Sequence, residues 1–234
     1  MQIGRKIWVL GLVMLLVVVL GMVGCGDDDD EIESAAVDMP GSDIWEIMME
    51  GNERFVDGDL DENDLGDSRR DELATEGQHP FAVVLTCSDS RVVPEYIFNQ
   101  GLGDLFVIRN AGNVVEPVAL GSIEYGVHHL DVPLLVVLGH TSCGAVTAAT
   151  EGHAEGNIGE ILEKIEPAVE AAHQDGAEDI VDASVDENVN LVIQNIEQES
   201  PIVKHLVEEG KLMIVGAKYH LDTGEVTLVP AAGE

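Results

Sequence analysis

The sequence predicts an α/β fold in which helices flank a mainly parallel central sheet. Two short, continuous apolar runs, residues 81–86 and 134–138, are typical of strands that are covered on both faces. Segments with helical periodicity separate these runs along the chain. Strands that alternate with helices indicate a parallel sheet with helices on both sides.

The first helix is expected to begin near residue 43. Asp43 and Glu46 have the spacing of a capping box, and an apolar stripe at helical spacing follows them. Residues 57–76 are polar and rich in charge, so we expect a surface connection with a single turn of helix there. Pro94 suits the first turn of a short helix. Further helices are predicted at 117–130, 144–150, 158–173, 188–198 and 201–209.

Five strands are expected in the sheet. The apolar runs 105–108 and 212–216 complete a set of four with the two runs already named. A turn at 222–224 precedes a shorter strand at 225–229, which we place at an edge of the sheet. Ligands of open α/β sheets sit at the carboxyl ends of the strands, so the residues that directly follow each strand are the first candidates for a site.

The N-terminus has the pattern of an exported protein. Residues 1–24 form a predicted signal peptide, in which Arg5 and Lys6 precede a long apolar run. Residues 20–25 resemble the lipobox of bacterial lipoproteins, which implies that Cys25 is lipidated. An uncleaved signal anchor is the alternative, because the run is just long enough to span a bilayer. Both interpretations tether the domain to a bacterial membrane, on its periplasmic or cell-surface side, through the N-terminus alone.

The rest of the chain divides into an acidic, disordered linker at 25–41 and one domain at 42–234. The charge is extreme, because 11 Lys and Arg residues face 45 Asp and Glu residues, for a formal net charge of −34. Such a chain repels nucleic acid and anionic lipid, so neither is expected as a partner. Two interpretations stay open: a well-solvated acidic face, or adaptation to high salt, where counterions screen self-repulsion.

Two polar clusters follow predicted strands and carry the candidate chemistry. Cys87 follows the first strand, and His140 and Cys143 follow the third. Two thiolates and one imidazole are a ligand set that holds catalytic zinc, with the fourth position open. Cys143 also starts the predicted helix 144–150, where the helix dipole favours a thiolate. A disulfide between the two cysteines is the alternative in an oxidising compartment.

The two clusters together resemble the zinc signature of the β-class carbonic anhydrases. The signature is Cys87-x-Asp89-x-Arg91 with His140-x-x-Cys143, and similarity extends over residues 43–230. The stretches that carry it further are 51–55, 106–113 and 219–224. The resemblance implies an αβα fold, a homodimer or higher homo-oligomer, and a lyase that reversibly hydrates carbon dioxide to bicarbonate and a proton.

The resemblance also implies roles for the polar residues. Cys87, His140 and Cys143 would bind one zinc ion per subunit. Asp89 and Arg91 would form a dyad that holds Asp89 off the metal in the active state. When that pair breaks, Asp89 would become the fourth ligand and close the site.

The expected substrate pocket matches the plant-like branch of the family. Gln78 stands where a glutamine hydrogen-bonds substrate, and Phe106 and Tyr125 match aromatic lining residues. Ala111 replaces a frequent valine, and Gly144 completes the pocket. A subgroup of the family has a second, inhibitory bicarbonate site that needs a tryptophan three residues before the first zinc cysteine. Val84 stands there, so no such site is expected.

Two other functions stay open at the level of the sequence. Hydrolases of carbon disulfide or carbonyl sulfide share these zinc ligands and this fold. A lipoprotein that binds zinc or bicarbonate without catalysis is the other alternative, although it would need neither Asp89 nor Arg91. The sequence does not select a proton shuttle among the remaining histidines.

Overall fold

The structure is a computed structural model, and it describes residues 39–63 and 65–231. The predicted signal peptide 1–24, Cys25 and most of the predicted linker lie outside the described residues. No helix in the described part of the chain is long and apolar enough to cross a membrane.

Five strands form one sheet. They are β1 (Ala82–Cys87), β2 (Leu105–Asn110), β3 (Leu134–His140), β4 (Met213–Tyr219) and β5 (Val226–Leu228). Their order across the sheet is β2-β1-β3-β4-β5. The first four strands run parallel, and β5 pairs antiparallel with β4 at the edge. The predicted mainly parallel sheet is therefore confirmed, as is the short edge strand at its end.

Helices surround this sheet. They are α1 (Gly41–Asp57), α2 (Asp67–Glu76), α3 (Pro94–Ile97), α4 (Pro117–Glu124), α5 (Gly144–Glu151), α6 (Ile158–Gln174), α7 (Ile180–Glu199) and α8 (Pro201–Glu208). Helix α4 continues as a π-helical segment, Tyr125–His129, so the helix predicted at 117–130 has nearly its expected extent. Pro94 occupies the first turn of α3, as predicted.

The predicted capping box is wrong. Helix α1 begins at Gly41, and Pro40 is its N-cap, so Asp43 and Glu46 both lie inside the helix. The carbonyl of Pro40 accepts the amide hydrogens of the first turn instead. A Cβ on Gly41 would lie 2.7 Å from the carbonyl oxygen of Pro133, which explains why the helix starts on a glycine.

Two other helices also differ from their predicted extent. Helix α2 has 10 residues, in a region where a single turn was expected. It buries no residue, so its sequence shows little apolar periodicity. The Arg69 side chain fastens it by donating to the carbonyl of Leu102 at 3.1 Å. Helix α7 begins at Ile180 rather than at residue 188, because the Asp179 carboxylate caps it by accepting from the Asp182 amide.

The core has two layers, one on each face of the sheet. Strands β1 and β3 are buried along their whole length, as expected for parallel strands with helices on both faces. Val84 belongs to the same apolar cluster as Ile44 of α1 on one face. Val83 belongs to the cluster that contains Val189 of α7 on the other face. This packing fixes the register of the strands, and with it the positions of the residues at their carboxyl ends.

Candidate metal centre

Three potential metal ligands meet at the carboxyl edge of the sheet. Cys87 is the last residue of β1, His140 is the last residue of β3, and Cys143 is the N-cap of α5. One ligand atom from each residue lies within 4.8 Å of the other two. All three residues are buried, with exposures of 5%, 0% and 1%. The convergence expected from the sequence is therefore present in the structure.

The tautomer of His140 leaves a ring nitrogen available to bind a metal. Its Nδ1 lies 2.9 Å from the carbonyl oxygen of Thr141, which can only accept, so Nδ1 carries the proton. The lone pair is then on Nε2, which is buried and has no hydrogen-bond partner among the described residues. A backbone carbonyl that orients a histidine through its other nitrogen is typical of metal sites. An unprotonated Nε2 beside two thiols fits zinc.

The two thiols are free in the structure, so the alternative disulfide is not formed. The hydrogen bond with Cys143 lowers the pKa of Cys87 to about 4, against the opposing effect of burial. The hydrogen bond with Cys87, followed by burial, raises the pKa of Cys143. Backbone N–H groups of Ala145 and Val146 at the start of α5 act on Cys143 in the opposite direction but are outweighed. The expected influence of the helix N-terminus is therefore present without dominating.

Asp89 and Arg91 form an ion pair beside the cluster. The Arg91 side chain donates twice, from Nε to Oδ1 at 2.9 Å and from Nη2 to Oδ2 at 2.7 Å. Hydrogen bonds from Arg91 hold the pKa of the Asp89 carboxyl well below its usual range, although burial opposes them. Asp89 Oδ2 also lies 3.9 Å from His140 Nε2. The carboxylate thus stays ionised and stands next to the three candidate ligands.

Arg109 fixes the loop that carries this pair, and the sequence did not identify that role. Its guanidinium donates to the backbone carbonyls of Cys87, Asp89 and Val92, at 3.2, 2.8 and 2.7 Å. The available signal was an arginine directly after the apolar part of β2, at the same edge of the sheet as Cys87. Arg109 therefore acts on the shape of the β1 loop.

Ala111 and Gly144 are chain neighbours of residues in the cluster or in contact with it. Ala111 precedes Gly112, whose amide N–H donates to Cys87 Sγ at 3.4 Å. Gly112 has a φ of +73°, and a Cβ there would lie 2.7 Å from Ile165 Cδ1, so only glycine fits. Gly144 follows Cys143 directly, and a Cβ on it would meet nothing within 4 Å. Gly144 therefore borders open space beside the ligands.

Gln78, Phe106 and Tyr125 are not brought to the cluster within one chain. Phe106 pairs with Val83, four residues before Cys87 on β1, which corresponds to about 13 Å along a strand. The Tyr125 ring lies 6.0 Å from that of Phe106 and is 46% exposed. Gln78 is exposed and precedes the amino end of β1. These three residues lie towards the opposite end of the sheet.

An open cleft of about 780 Å³ adjoins the loops that hold the cluster. Arg91, Thr141 and Ser142 form part of its wall, and Asp182 and His220 are among the residues that complete it. Ser142 has a φ of +54°, a left-handed conformation that is uncommon for a residue with a side chain. The strained turn brings Cys143 back towards His140, and the cleft gives solvent access to Arg91.

The sequence of this chain is similar to those of known proteins. Residues 82–226 match a protein family described as carbonic anhydrase. A protein named carbonic anhydrase 2 from Mycobacterium tuberculosis is 42% identical over 189 residues, which are 79% of this chain and 90% of that protein. A carbonic anhydrase of Mycolicibacterium smegmatis is 40% identical over 195 residues, which are 81% of this chain and 94% of that one.

Solved structures show the same similarity in three dimensions. One of two tetrameric β-carbonic anhydrases from Sordaria macrospora superimposes with a TM-score of 0.64 at 27% identity, covering 69% of this chain and 86% of that chain. A β-carbonic anhydrase of Aspergillus fumigatus also has a TM-score of 0.64, at 29% identity, covering 71% of this chain and 84% of that chain.

Proposed function

The chain belongs to the β-carbonic anhydrase family, and from this premise we propose that it catalyses the zinc-dependent, reversible hydration of carbon dioxide to bicarbonate and a proton. The observation that carries the proposal is the convergence of Cys87, His140 and Cys143 within 4.8 Å. The adjacent Asp89–Arg91 pair adds a group that a passive metal site would not need.

The residues of the cluster have distinct tasks. The two cysteine sulfurs and His140 Nε2 would hold the metal, and the Thr141 carbonyl keeps the imidazole in the tautomer that leaves Nε2 free. A zinc ion held there would lower the pKa of a bound water and so would supply a hydroxide nucleophile.

Asp89 orients the nucleophile. Its carboxylate is ionised and can only accept, so it can take a hydrogen bond from the attacking hydroxide and direct a lone pair towards carbon dioxide. Arg91 keeps Asp89 in place with two hydrogen bonds, so Asp89 would not compete with water or substrate for a bound metal. Loss of those hydrogen bonds would free Asp89 to occupy that position itself.

A second copy of the chain would complete the substrate pocket. Gln78, Phe106 and Tyr125 lie away from the cluster of their own chain, and β2 is a partly exposed apolar strand at the edge of the sheet. Val118 in the following helix is 85% exposed. An apolar strand edge and exposed apolar side chains favour a homodimer or higher homo-oligomer. The Sordaria macrospora enzymes are described as tetrameric.

Stopped-flow hydration of carbon dioxide tests the proposed reaction. The zinc-loaded full chain is compared with Asp89→Asn, which removes the negative charge and keeps the shape of the side chain. We expect the substitution to lower turnover about 10- to 100-fold, the usual range for a group that orients what a metal binds. Rates no higher than the uncatalysed background for both proteins would favour a binding protein, and faster turnover of carbonyl sulfide or carbon disulfide would favour the hydrolase.

The pocket residues support the plant-like branch of the family, with Gln78, Phe106 and Tyr125 as substrate contacts. Val84 is fully buried in the core, and it stands where the inhibitory bicarbonate site of another subgroup requires tryptophan. We therefore expect activity that does not fall when bicarbonate is added near neutral pH. Loss of activity that scales with bicarbonate, beyond simple product inhibition, would assign the chain to the other subgroup.

Export and lipidation at Cys25 are supported by the sequence pattern of residues 1–25. Expression in a bacterial host with labelled palmitate should yield a labelled protein in the membrane fraction, and Cys25→Ala should lose the label. Mass spectrometry of the N-terminal peptide decides the alternative, because an uncleaved signal anchor would retain residues 1–24.

A further inference from the structure

We infer that Asn188 is a positioning residue for the metal centre, acting through the backbone of Gly112 on the sulfur of Cys87. The inference rests on the proposed function, because it assigns a role towards the zinc ligand. Asn188 lies on α7 and is 1% exposed. Its Nδ2 donates to the carbonyl of Gly112 at 3.0 Å, and the Gly112 amide donates to Cys87 Sγ at 3.4 Å. Two hydrogen bonds thus connect a helix side chain to a metal ligand.

The segment between them needs an external support. Gly112 and Asn113 both have positive φ, at +73° and +42°, directly after β2. Glycine in this region has little conformational preference of its own, so local sequence does not fix the direction of its N–H. Ile165 packs against one side of Gly112, because a Cβ on Gly112 would lie 2.7 Å from Ile165 Cδ1. Asn110 Nδ2 spans the turn by donating to the Val114 carbonyl, and the hydrogen bond from Asn188 is the restraint that acts on Gly112 itself.

Helix α7, which carries Asn188, is held in a fixed position on the sheet. It has 20 residues and packs closely on the sheet, since a Cβ on Gly139 of β3 would lie 2.8 Å from Val189 Cγ2. Val185 and Val189 flank Asn188 in the buried face of the helix. The position of the Gly112 carbonyl is therefore fixed relative to the core.

An asparagine at this position is unfavourable for the stability of the fold. Val185, Val189 and Val192 share the buried face with it, alongside Ser184 one turn earlier, so an apolar residue would suit most of this packing. Asn188 Oδ1 is buried and has no hydrogen-bond partner among the described residues, which is an unfavourable state for an amide. The hydrogen bond to the Gly112 carbonyl is the favourable interaction that this side chain makes. A role at the metal centre accounts for a polar group here.

The N–H···S hydrogen bond affects how Cys87 serves a metal. It draws electron density from the sulfur and fixes the direction of its lone pairs. Groups that orient metal ligands in this way typically change metal affinity or activity 10- to 100-fold when they are removed. Asn188 would exert such an effect although it lies 76 residues from Gly112 in the sequence and touches no ligand itself.

The test compares Asn188→Leu with Asn52→Leu in the full chain. Leucine removes the donor without adding charge. Asn52 is the matched control, because it is 3% exposed and its Nδ2 also donates to backbone carbonyls, those of Ile97 and Gly224. Cobalt(II) in place of zinc gives a thiolate-to-cobalt charge-transfer band that reports on the cysteine sulfurs. We expect Asn188→Leu to shift this band and weaken zinc affinity about 10- to 100-fold, and Asn52→Leu to change neither.

An unshifted band and unchanged affinity in folded Asn188→Leu would overturn the inference, as would equal changes in both variants. If Asn188→Leu does not fold, NMR of the cadmium-loaded wild type decides. Scalar couplings across hydrogen bonds, from cadmium to the Gly112 amide proton and from Asn188 Nδ2 to the Gly112 carbonyl carbon, are expected. Absence of either coupling contradicts the inference. These readouts do not depend on carbon dioxide hydration, so an inactive protein with both couplings would refute only the proposed function.

Discussion

Arg91 holds Asp89 through two parallel hydrogen bonds, Nε to Oδ1 at 2.9 Å and Nη2 to Oδ2 at 2.7 Å. The arginine side chain is 56% exposed and the aspartate side chain 17%. Exposed ion pairs contribute little to stability, so the value of this one lies in orientation. It turns the carboxylate into a fixed acceptor beside His140.

Replacing Arg91 by alanine should reduce activity without loss of metal. Asp89 would lose both side-chain hydrogen bonds and become free to take the fourth position on zinc. We expect stopped-flow hydration to fall at least 10-fold, with one zinc per chain retained by elemental analysis. Arg70→Ala is the control, because Arg70 pairs with Asp67 on the exposed helix α2. Wild-type activity in Arg91→Ala would show that the pair has no part in the reaction.

Mixing two inactive variants should restore activity if partner chains share each site. Gln78→Ala leaves the metal ligands and Asp89 intact, and Asp89→Asn leaves Gln78 intact. In a mixed dimer, one site would combine the intact half of each chain. Random pairing of equal amounts should therefore recover about a quarter of the wild-type sites, measured as hydration rate after co-expression. No recovery in mixtures shown to contain mixed dimers would place the whole pocket within one chain.

The sequence was sufficient for the metal ligands because they lie at strand ends. The apolar runs that become β1 and β3 are fully buried, and parallel strands deliver Cys87 and His140 to one edge of the sheet. The turn that returns Cys143 to them is short. Local patterns therefore determine the position of all three ligands.

Contacts between distant segments were not predictable in the same way. The bond from Asn188 to Gly112 joins residues 76 positions apart, and Arg109 reaches the β1 loop from 20 positions away. Asn188 has no local signature, and the place of Arg109 at the end of β2 does not reveal which carbonyls its side chain reaches. The length of helix α2 was underestimated because it buries no residue, and apolar periodicity is the main signal for a helix.

The stability of the domain at alkaline pH should depend on Lys218. This residue is 7% exposed, and its Nζ lies 2.9 Å from Asp186 and 3.1 Å from Asp182. Burial lowers the pKa of Lys218, but hydrogen bonds to the two carboxylates outweigh it and raise the pKa above 10.5. A raised pKa means that the stabilisation is complete below pH 10.5 and is lost as the pH rises through the value of the folded state.

Chemical denaturation of wild type and Lys218→Met checks this sign. We expect the variant to lose about 2 kcal/mol at neutral pH, and the difference between the two proteins to shrink above pH 10.5. Burial also raises the pKa of Tyr219, but that effect is common to both proteins. A difference that stays constant or grows with pH would contradict the assignment.

Salt should stabilise the domain if the chain's net charge of −34 is an adaptation to high ionic strength. The screening length falls from about 10 Å at 0.1 M salt to about 3 Å at 1 M, which weakens self-repulsion. We expect the domain to unfold in dilute buffer and to refold in molar potassium chloride, followed by circular dichroism. Sucrose at matched osmolality is the control, because it does not screen charge. Equal stability in dilute buffer and molar salt would leave a merely well-solvated acidic surface.

Zinc content and thiol state, measured on the same purified full chain without reductant, test the central claim most directly. We predict one zinc per chain by elemental mass spectrometry, with Cys87 and Cys143 unreactive towards a thiol reagent until a chelator removes the metal. Folded protein without stoichiometric zinc, or with these two sulfurs joined in a disulfide, would contradict the account.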